Sequence, residues 1–424
     1  METMTTRCCV VGGGPAGMML GLLLARAGVD VVVLEKHADF LRDFRGDTIH
    51  PSTLELMHEL GVLEEFLRLP HQQARVLTAQ VGDRTIPVAD FGHLPTRAKF
   101  IALMPQWDFL NFLAEQGARY ATYRLRQRAE VTGLIEDDGR VVGVRAATPA
   151  GELEVRADLV VGADGRQSVV RQQAGLQVRD LGAPMDVLWF RLSRQPGDPE
   201  ETMGRFDAGR ILIMINRGSH WQFGYVIAKG VDAEQRRHGI APFREAVAKL
   251  APFTAARADE IRGWDDVKLL TVKVDRLRRW YRPGLLCLGD AAHAMSPIGG
   301  VGVNLAVQDA VAAANLLAEP LRERRVTTND LDRVQRRRLF PTRVVQRMQV
   351  LVQRRIVARV LGGTAAVKAP LPLRLFARFP FLRRLPARVI GLGVRPEHVR
   401  TPAVAPAAHS RSDISSSAKI TSPS

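Results

Sequence analysis

Hydrophobic residues fall along this chain in short blocks whose period changes from one block to the next. From Arg7 the sequence runs CCVVGGGPAGMMLGLLLARAGVDVVVLEKH. An unbroken apolar run, a glycine turn, a longer apolar run and a third run ending at Glu35 predict strand, turn, helix and strand, a βαβ unit. Residues 45–61 (RGDTIHPSTLELMHELG) predict a loop and then a helix opening near Pro51 or Ser52, with leucines at helical spacing. Mixed strand and loop follows over 75–102, and helical periodicity returns over 107–120. Between 129 and 155 short alternating strands, with turns at Asp137-Asp138-Gly139 and Ala150-Gly151, predict a hairpin or small meander.

The segment 159–175 (LVVGADGRQSVVRQQAG) again predicts strand, tight loop and helix. VLWFRL, RILIMI and WQFGYVI make 185–229 β-rich, and a helix is expected near 242–250. Residues 285–321 predict a strand, a glycine loop and a long helix. Basic amphipathic helices come next, with Val344, Val345, Met348, Leu351, Val352, Ile356 and Val360 on one apolar stripe. The Ser-, Ala- and Pro-rich stretch 401–424 predicts a disordered tail. No internal repeat is visible.

At 424 residues, and roughly 150 per domain, the chain makes two to three units. Apolar residues at 46% and charged residues at 25% exclude a wholly disordered or fibrous protein. The three cysteines, Cys8, Cys9 and Cys287, build neither a disulfide framework nor a zinc site, which fits a reducing cytoplasm; no metal site is expected. Stretches 8–25 and 291–308 carry no charge for 18 residues each, but glycines and proline interrupt both, so a soluble protein is expected.

The net charge of +16 is local. Residues 321–400 hold 20 Lys plus Arg against 4 Asp plus Glu, and the remainder balances at 40 against 40. A basic segment on a neutral body faces an anionic membrane, an acidic partner or solvent. Packing of its apolar stripes on the rest of the chain is the preferred reading, with peripheral membrane contact through 321–400 or a homodimer left open. The segment lacks the aromatic interleaving of a nucleic-acid surface, so no nucleic acid is expected.

Gly12, Gly14 and Gly17 form G-x-G-x-x-G between strand and helix, with Pro15 and Ala16 opening the helix. The first glycine permits the turn, the second admits a pyrophosphate, and the third lets helix and strand pack closely. The helix N-terminus favours the phosphates, and Glu35, beside Lys36, can bind a ribose hydroxyl pair. A carboxylate there disfavours a 2′-phosphate, so FAD or NAD is expected.

Two further motifs, GADGRQSVVR and GDAAHAMSPIGGVGVNLAVQDA, complete a set that resembles the FAD-dependent (class A) flavoprotein monooxygenases of the para-hydroxybenzoate hydroxylase and ubiquinone-biosynthesis hydroxylase type. The resemblance spans 7–321. It implies an α/β fold with a Rossmann-like FAD-binding domain (1–74, 103–180 and 270–340). It adds an inserted β-rich substrate domain (75–102 and 181–269), basic C-terminal helices (341–400) and a tail (401–424). It further implies that Gly289 and Asp290 organise the ribityl chain or a nearby phosphate, that Pro297 lies beside the isoalloxazine through its backbone, and that Gly302, Val303 and Asn304 face the flavin N1 and C2 edge. Asp164 is implied in flavin and nicotinamide contacts, with Arg171 on the helix that follows, and Arg45 and Gln106 match positions near the cofactor. Asp108 is expected to cap the helix after Gln106. For His293, packing within its loop is preferred over acid/base chemistry.

By the same resemblance, NAD(P)H reduces FAD, O2 adds at C4a, and the hydroperoxide hydroxylates an aromatic or polyketide-like small molecule, with water excluded. Trp189, Phe190, Met214, Trp221, Phe223 and Tyr225 are candidate pocket residues, about half of which strand alternation should commit to ordinary core. HWQFGYVI departs from the halogenase W-x-W-x-I-P pattern, and nothing after 321 is thioredoxin-like. A non-oxygenating FAD-dependent reductase of the same fold stays as the alternative.

Overall fold

Valine and cysteine runs that can be buried on both faces make the inner strands of a largely parallel sheet. The computed structural model describes residues 2–41, 48–82, 84–363 and 371–406. Its larger sheet orders Tyr281–Arg282, Leu285–Cys287, Gly151–Gly162, Glu2–Val11, Val31–Leu34 and Tyr123–Arg126, with the Glu130–Asp137 and Arg140–Thr148 hairpin paired to Gly151–Gly162. Glu2–Val11 is flanked in parallel by Val31–Leu34 and Gly151–Gly162, in register Cys9↔Val32 and Cys9↔Val160. The helix Pro15–Arg26 packs against the helix Val301–Arg322, and both bury nearly all their apolar residues. The segment Ile298–Arg322 is long and apolar enough to cross a membrane, yet 78% of its apolar window is buried in the fold, which makes it a core helix.

The second sheet has seven strands: Lys268–Leu270, Met185–Ser193, His220–Ala228, Arg210–Asn216, Met203–Asp207, Val76–Val81 and Arg84–Asp90, in that order. Strand alternation splits its residues between two faces. Phe190, paired with Phe223, lies with Met214, Trp221 and Tyr225 on the face covered by the helix Ala241–Leu250, where Phe190 and Phe223 stack at 5.0 Å. Those five of the six candidate pocket residues are therefore the core under that helix. Trp189 alone points to the opposite face, with Val187, Ile211, Ile213, Ile215 and Val226. Gly224, opposite Trp189, leaves room for the indole, since a Cβ there would lie 3.1 Å from the ring.

The basic C-terminal helices also differ from the expected stripe. Helix Thr328–Val352 opens with a Thr327–Asp330 capping box and buries Leu331, Val334 and Val345 along with Arg338, Thr342, Gln346 and Gln349. Of the predicted apolar stripe only Val345 and Val360 are buried, and Leu351 is exposed. The glutamines win the inner face because they satisfy backbone carbonyls: Gln346 Nε2 donates to Asp275 O at 2.7 Å and Gln349 Nε2 to Ser296 O at 2.9 Å. Val357 and Val360 then reach the inner face of the seven-stranded sheet, and Ala387 and Ile390 join Phe91, Ile101 and Ile215. The first residues of the expected tail are held: Arg26 Nη1 donates to Thr401 O at 2.9 Å, and Val404 N to Arg26 O at 2.8 Å.

Candidate cofactor and substrate site

The glycine turn follows from steric necessity. Gly12 takes φ +106°, where a Cβ would sit 2.5 Å from Ala163 O, and a Cβ on Gly17 would sit 2.0 Å from Gly12 O. Gly14 opens Pro15–Arg26 with no side-chain cap and no acid in the first turn, and the nearest atom to a Cβ there is 4.0 Å away. The helix thus presents free N–H groups and its positive end to open space, which fits a pyrophosphate. Glu35, buried at the end of its strand, accepts from Gly13 N at 2.9 Å and His37 N at 3.0 Å. Lys36 is exposed beside it. Arg45 lies outside the described residues.

A second uncapped helix end converges on the same region. Val301–Arg322 starts from Gly300, at φ +61°, where a Cβ would lie 2.4 Å from Thr48 Oγ1. Gly289 sits between Ala16 and Ala306, to which a Cβ would approach within 3.2 and 3.1 Å, so the two helices meet beneath the loop 289–300. No side chain caps this helix and no acid occupies its first turn, a second receptor for negative charge. Gly302 and Val303 are partly open in that first turn, and Pro297 precedes it, half-buried. The Asn304 side chain is committed to the protein: its Oδ1 accepts from His50 N at 2.8 Å and Thr53 Oγ1 at 2.7 Å, and its Nδ2 donates to Thr48 O at 3.1 Å.

Asp164 accepts from Ser168 Oγ at 2.6 Å and Val170 N at 3.2 Å. Burial raises its pKa, with those hydrogen bonds opposing. Asp290 stays partly open with Arg166 at 3.5 Å. Arg171 is buried, paired with Asp275 at 3.5 Å and donating to Arg166 O at 2.5 Å, so it braces the loop from behind. Gln106 begins the helix Gln106–Ala118 buried, and its amide makes no hydrogen bond among the described residues. Asp108 does not cap that helix: Pro105 holds the N-cap position without a side-chain bond, and Asp108 sits within the first turn.

The His293 ring, expected to pack within its loop, bonds outside it, and two further features escape the sequence reading. His293 is fully buried, 2.5 Å from Asp309 and 5.0 Å from the Trp280 ring, and Asp309 also binds Arg338 at 2.9 Å. Arg338 and Arg337 then meet Glu397 at 3.3 and 2.6 Å. Burial pushes the Asp309 pKa up, but His293 and Arg338 outweigh it and hold the carboxyl below its ordinary range. Gly289 N reaches Asp309 Oδ2 at 3.3 Å, so this chain of buried contacts underlies the loop 289–300. The other is His50, wholly buried at the foot of Pro51–Glu59, with Nδ1 against Ile390 O at 2.8 Å and Nε2 without a partner.

Two uncapped helix ends, a glycine turn and a terminal strand carboxylate on a parallel sheet define a dinucleotide-binding protein, and the open cradle at Gly14 and Gly302 fits FAD. Over residues 5–348 the chain matches, and belongs to, the family described as FAD binding domain. It is an FAD-dependent monooxygenase of the class A aromatic-hydroxylase group. It is similar to the 6-methylpretetramide 4-monooxygenase of Streptomyces rimosus, 35% identical over 387 residues that cover 91% of this chain and 92% of that protein. To a rifampicin monooxygenase of Streptomyces venezuelae it is 32% identical over 311 residues, covering 71% of this chain and 61% of that one. The p-nitrophenol 4-monooxygenase of Pseudomonas putida shares the fold, with a TM-score of 0.73 at 22% identity over 91% of this chain and 97% of that one.

Proposed function

We propose that this enzyme hydroxylates a polycyclic aromatic polyketide of the kind named for its Streptomyces rimosus relative. The observation that carries this is similarity along nearly the whole of both chains. Bound FAD, reduced by NAD(P)H, supplies the oxygen activation for which amino-acid side chains have no chemistry. Gly12 makes the turn and Pro15, which has no N–H, opens the helix, so that the backbone N–H groups of Gly14, Ala16 and Gly17 bind the pyrophosphate, and Glu35 and Lys36 flank the adenosine ribose. Asp164, Gly289, Asp290 and Gln106 hold the ribityl and ring portions. The free N–H groups of Gly302 and Val303, followed in that turn by Asn304, stabilise negative charge on the pyrimidine edge, with Pro297 alongside.

The substrate lies between that edge and the inner face of the seven-stranded sheet. Support comes from Ile298, next to Pro297, which packs with Val187, Ile211 and Val226. The apolar wall, including Trp189, excludes water and offers flat area to fused rings. In this reading 75–102 and 181–269 form the substrate-covering unit on a discontinuous cofactor unit. We also infer peripheral contact with an anionic membrane: Leu371, Phe381 and Leu385 are 65%, 62% and 68% exposed among five arginines and no acid over 371–391. The test of the function is NAD(P)H oxidation by FAD-loaded enzyme with linear tetracyclic polyphenols under 18O2. Substrate-stimulated oxidation with one labelled oxygen in the product is expected. A reduced product without label would overturn hydroxylation, and activity confined to single-ring phenols would overturn the polycyclic substrate.

A further inference from the structure

A cleft away from the glycine turn carries positive charge with no counter-charge among the described residues. Strands Val178–Asp180 and Asp275–Leu277 pair antiparallel, and their register sets Arg179 directly opposite Arg276. Like charges in that relation destabilise a sheet. Helix Thr328–Val352 adds Arg343, and Arg278 follows the second strand, so four guanidinium groups line a cleft of about 240 Å³, with Leu277 and Leu339 beneath. One water takes ~30 Å³, so the space suits a larger guest.

The fold treats its other buried arginines differently. Arg171, Arg257 and Arg338 are each paired with a buried carboxylate: Asp275, Asp198 and Asp309. Arg276 is 8% exposed and has only the neutral Gln346 Oε1, at 2.6 Å. The carboxylates adjoining it in sequence and across the strand are engaged elsewhere: Asp275 with Arg171 and Ala294 N, Asp180 with Gly182 N. Among the described residues no carboxylate pairs with Arg179, Arg276, Arg278 or Arg343. Burial, followed by the charges of Arg343, Arg179 and Arg347, lowers the pKa of Arg276, so the strain falls on the one group that cannot turn to solvent.

We propose that this cleft is a phosphate-binding site, in which Arg179, Arg276, Arg278 and Arg343 converge on one phosphate or pyrophosphate group. Guanidinium forks match phosphate oxygens in two-point hydrogen bonds, and a dianion converts four repelling charges into a neutralised cluster. The site is separate from the FAD pyrophosphate cradle at Gly12–Gly14 and independent of the substrate proposed above. Its phosphate comes from the nicotinamide coenzyme or from a lipid headgroup, and these two sources separate experimentally.

The probe is inorganic pyrophosphate, titrated calorimetrically into FAD-loaded full-length protein in chloride buffer at fixed ionic strength. Arg179 and Arg343 are exposed, so Arg179→Ala and Arg343→Ala are the test variants, with the bound flavin spectrum reporting intact fold. Saturable binding to the parent is expected, weakened about tenfold or more in each variant, as the loss of one charge-assisted contact predicts. Arg179→Ala should also raise the melting temperature in chloride, and that gain should vanish under saturating pyrophosphate. No saturable binding, or equal binding by parent and variants, would overturn the site. With binding established, a KM increase for NADPH in Arg179→Ala assigns the phosphate to the coenzyme. Unchanged coenzyme KM with weakened sedimentation on phosphatidic acid vesicles assigns it to lipid. Loss of neither would overturn both sources and with them the proposal.

Discussion

His50 should give this protein a stability that declines on mild acidification, and replacing it with glutamine should remove that decline. Its pKa falls from the ordinary 6.5 to about 4 because burial penalises the imidazolium, with the Ile390 carbonyl opposing. The folded state therefore keeps the ring neutral where the unfolded chain takes up a proton, so the unfolded state binds more protons between these two values and stability rises with pH there. The contribution is full above pH 6.5 and lost as the pH falls toward 4. A separation of about 2.5 units, at ~1.36 kcal/mol each, makes the whole effect ~3 kcal/mol, of which ~2 kcal/mol has gone by about pH 5. Glutamine keeps an amide donor for Ile390 O and does not titrate. Urea unfolding of His50→Gln and parent, both FAD-free, at several pH values between neutrality and about pH 5 measures the difference. The parent should lose ~2 kcal/mol more than the variant over that range. Parallel curves would refute the assignment of a buried neutral imidazole.

Three shorter predictions follow from the site and its supports. Asp290→Ala should lose FAD affinity while keeping its helical circular dichroism, because Asp290 is partly open and its one ion pair, to Arg166, is long; unchanged affinity by flavin fluorescence titration would contradict its role. Arg338→Met strips Asp309 of a buried partner and should cost ~3–5 kcal/mol in chemical unfolding, whereas Arg336→Met on the exposed face of the same helix should cost under ~1 kcal/mol. Cosedimentation with anionic but not neutral liposomes should be detectable at low salt and fall when Phe381 and Leu385 become serine; equal recovery with neutral vesicles would overturn the charge-assisted contact.

The glycine turn was legible because it is local: Gly12, Gly14 and Gly17 lie within six residues, and the strand and helix that flank them are continuous in sequence. The loop 289–300 was legible for the same reason. Sheet faces were harder, because alternation separates Trp189 from Phe190 and Phe223 but does not say which set meets the helix Ala241–Leu250. The glutamine face of Thr328–Val352 was hidden because its value lies in the carbonyls of Asp275 and Ser296, 71 and 53 residues earlier. Arg179 and Arg276 face each other only through a strand register that joins distant segments. His50 reads as a helix-opening residue until Ile390 is brought to it.

The chain of buried contacts from His293 through Asp309 and Arg338 to Glu397 also imposes an order in time. Ribosomes extend a chain from its N-terminus at ~5–20 residues per second. The glycine turn, the aspartate of the Gly-Asp loop and the helix that closes over it are all made before Glu397 is added. During that interval the Gly289 loop rests on Asp309 and Arg338 while the acid that completes their circuit is still missing. A nascent chain arrested between Arg338 and Glu397 should therefore hold flavin more weakly than the finished protein, a difference that fluorescence titration of the two would read.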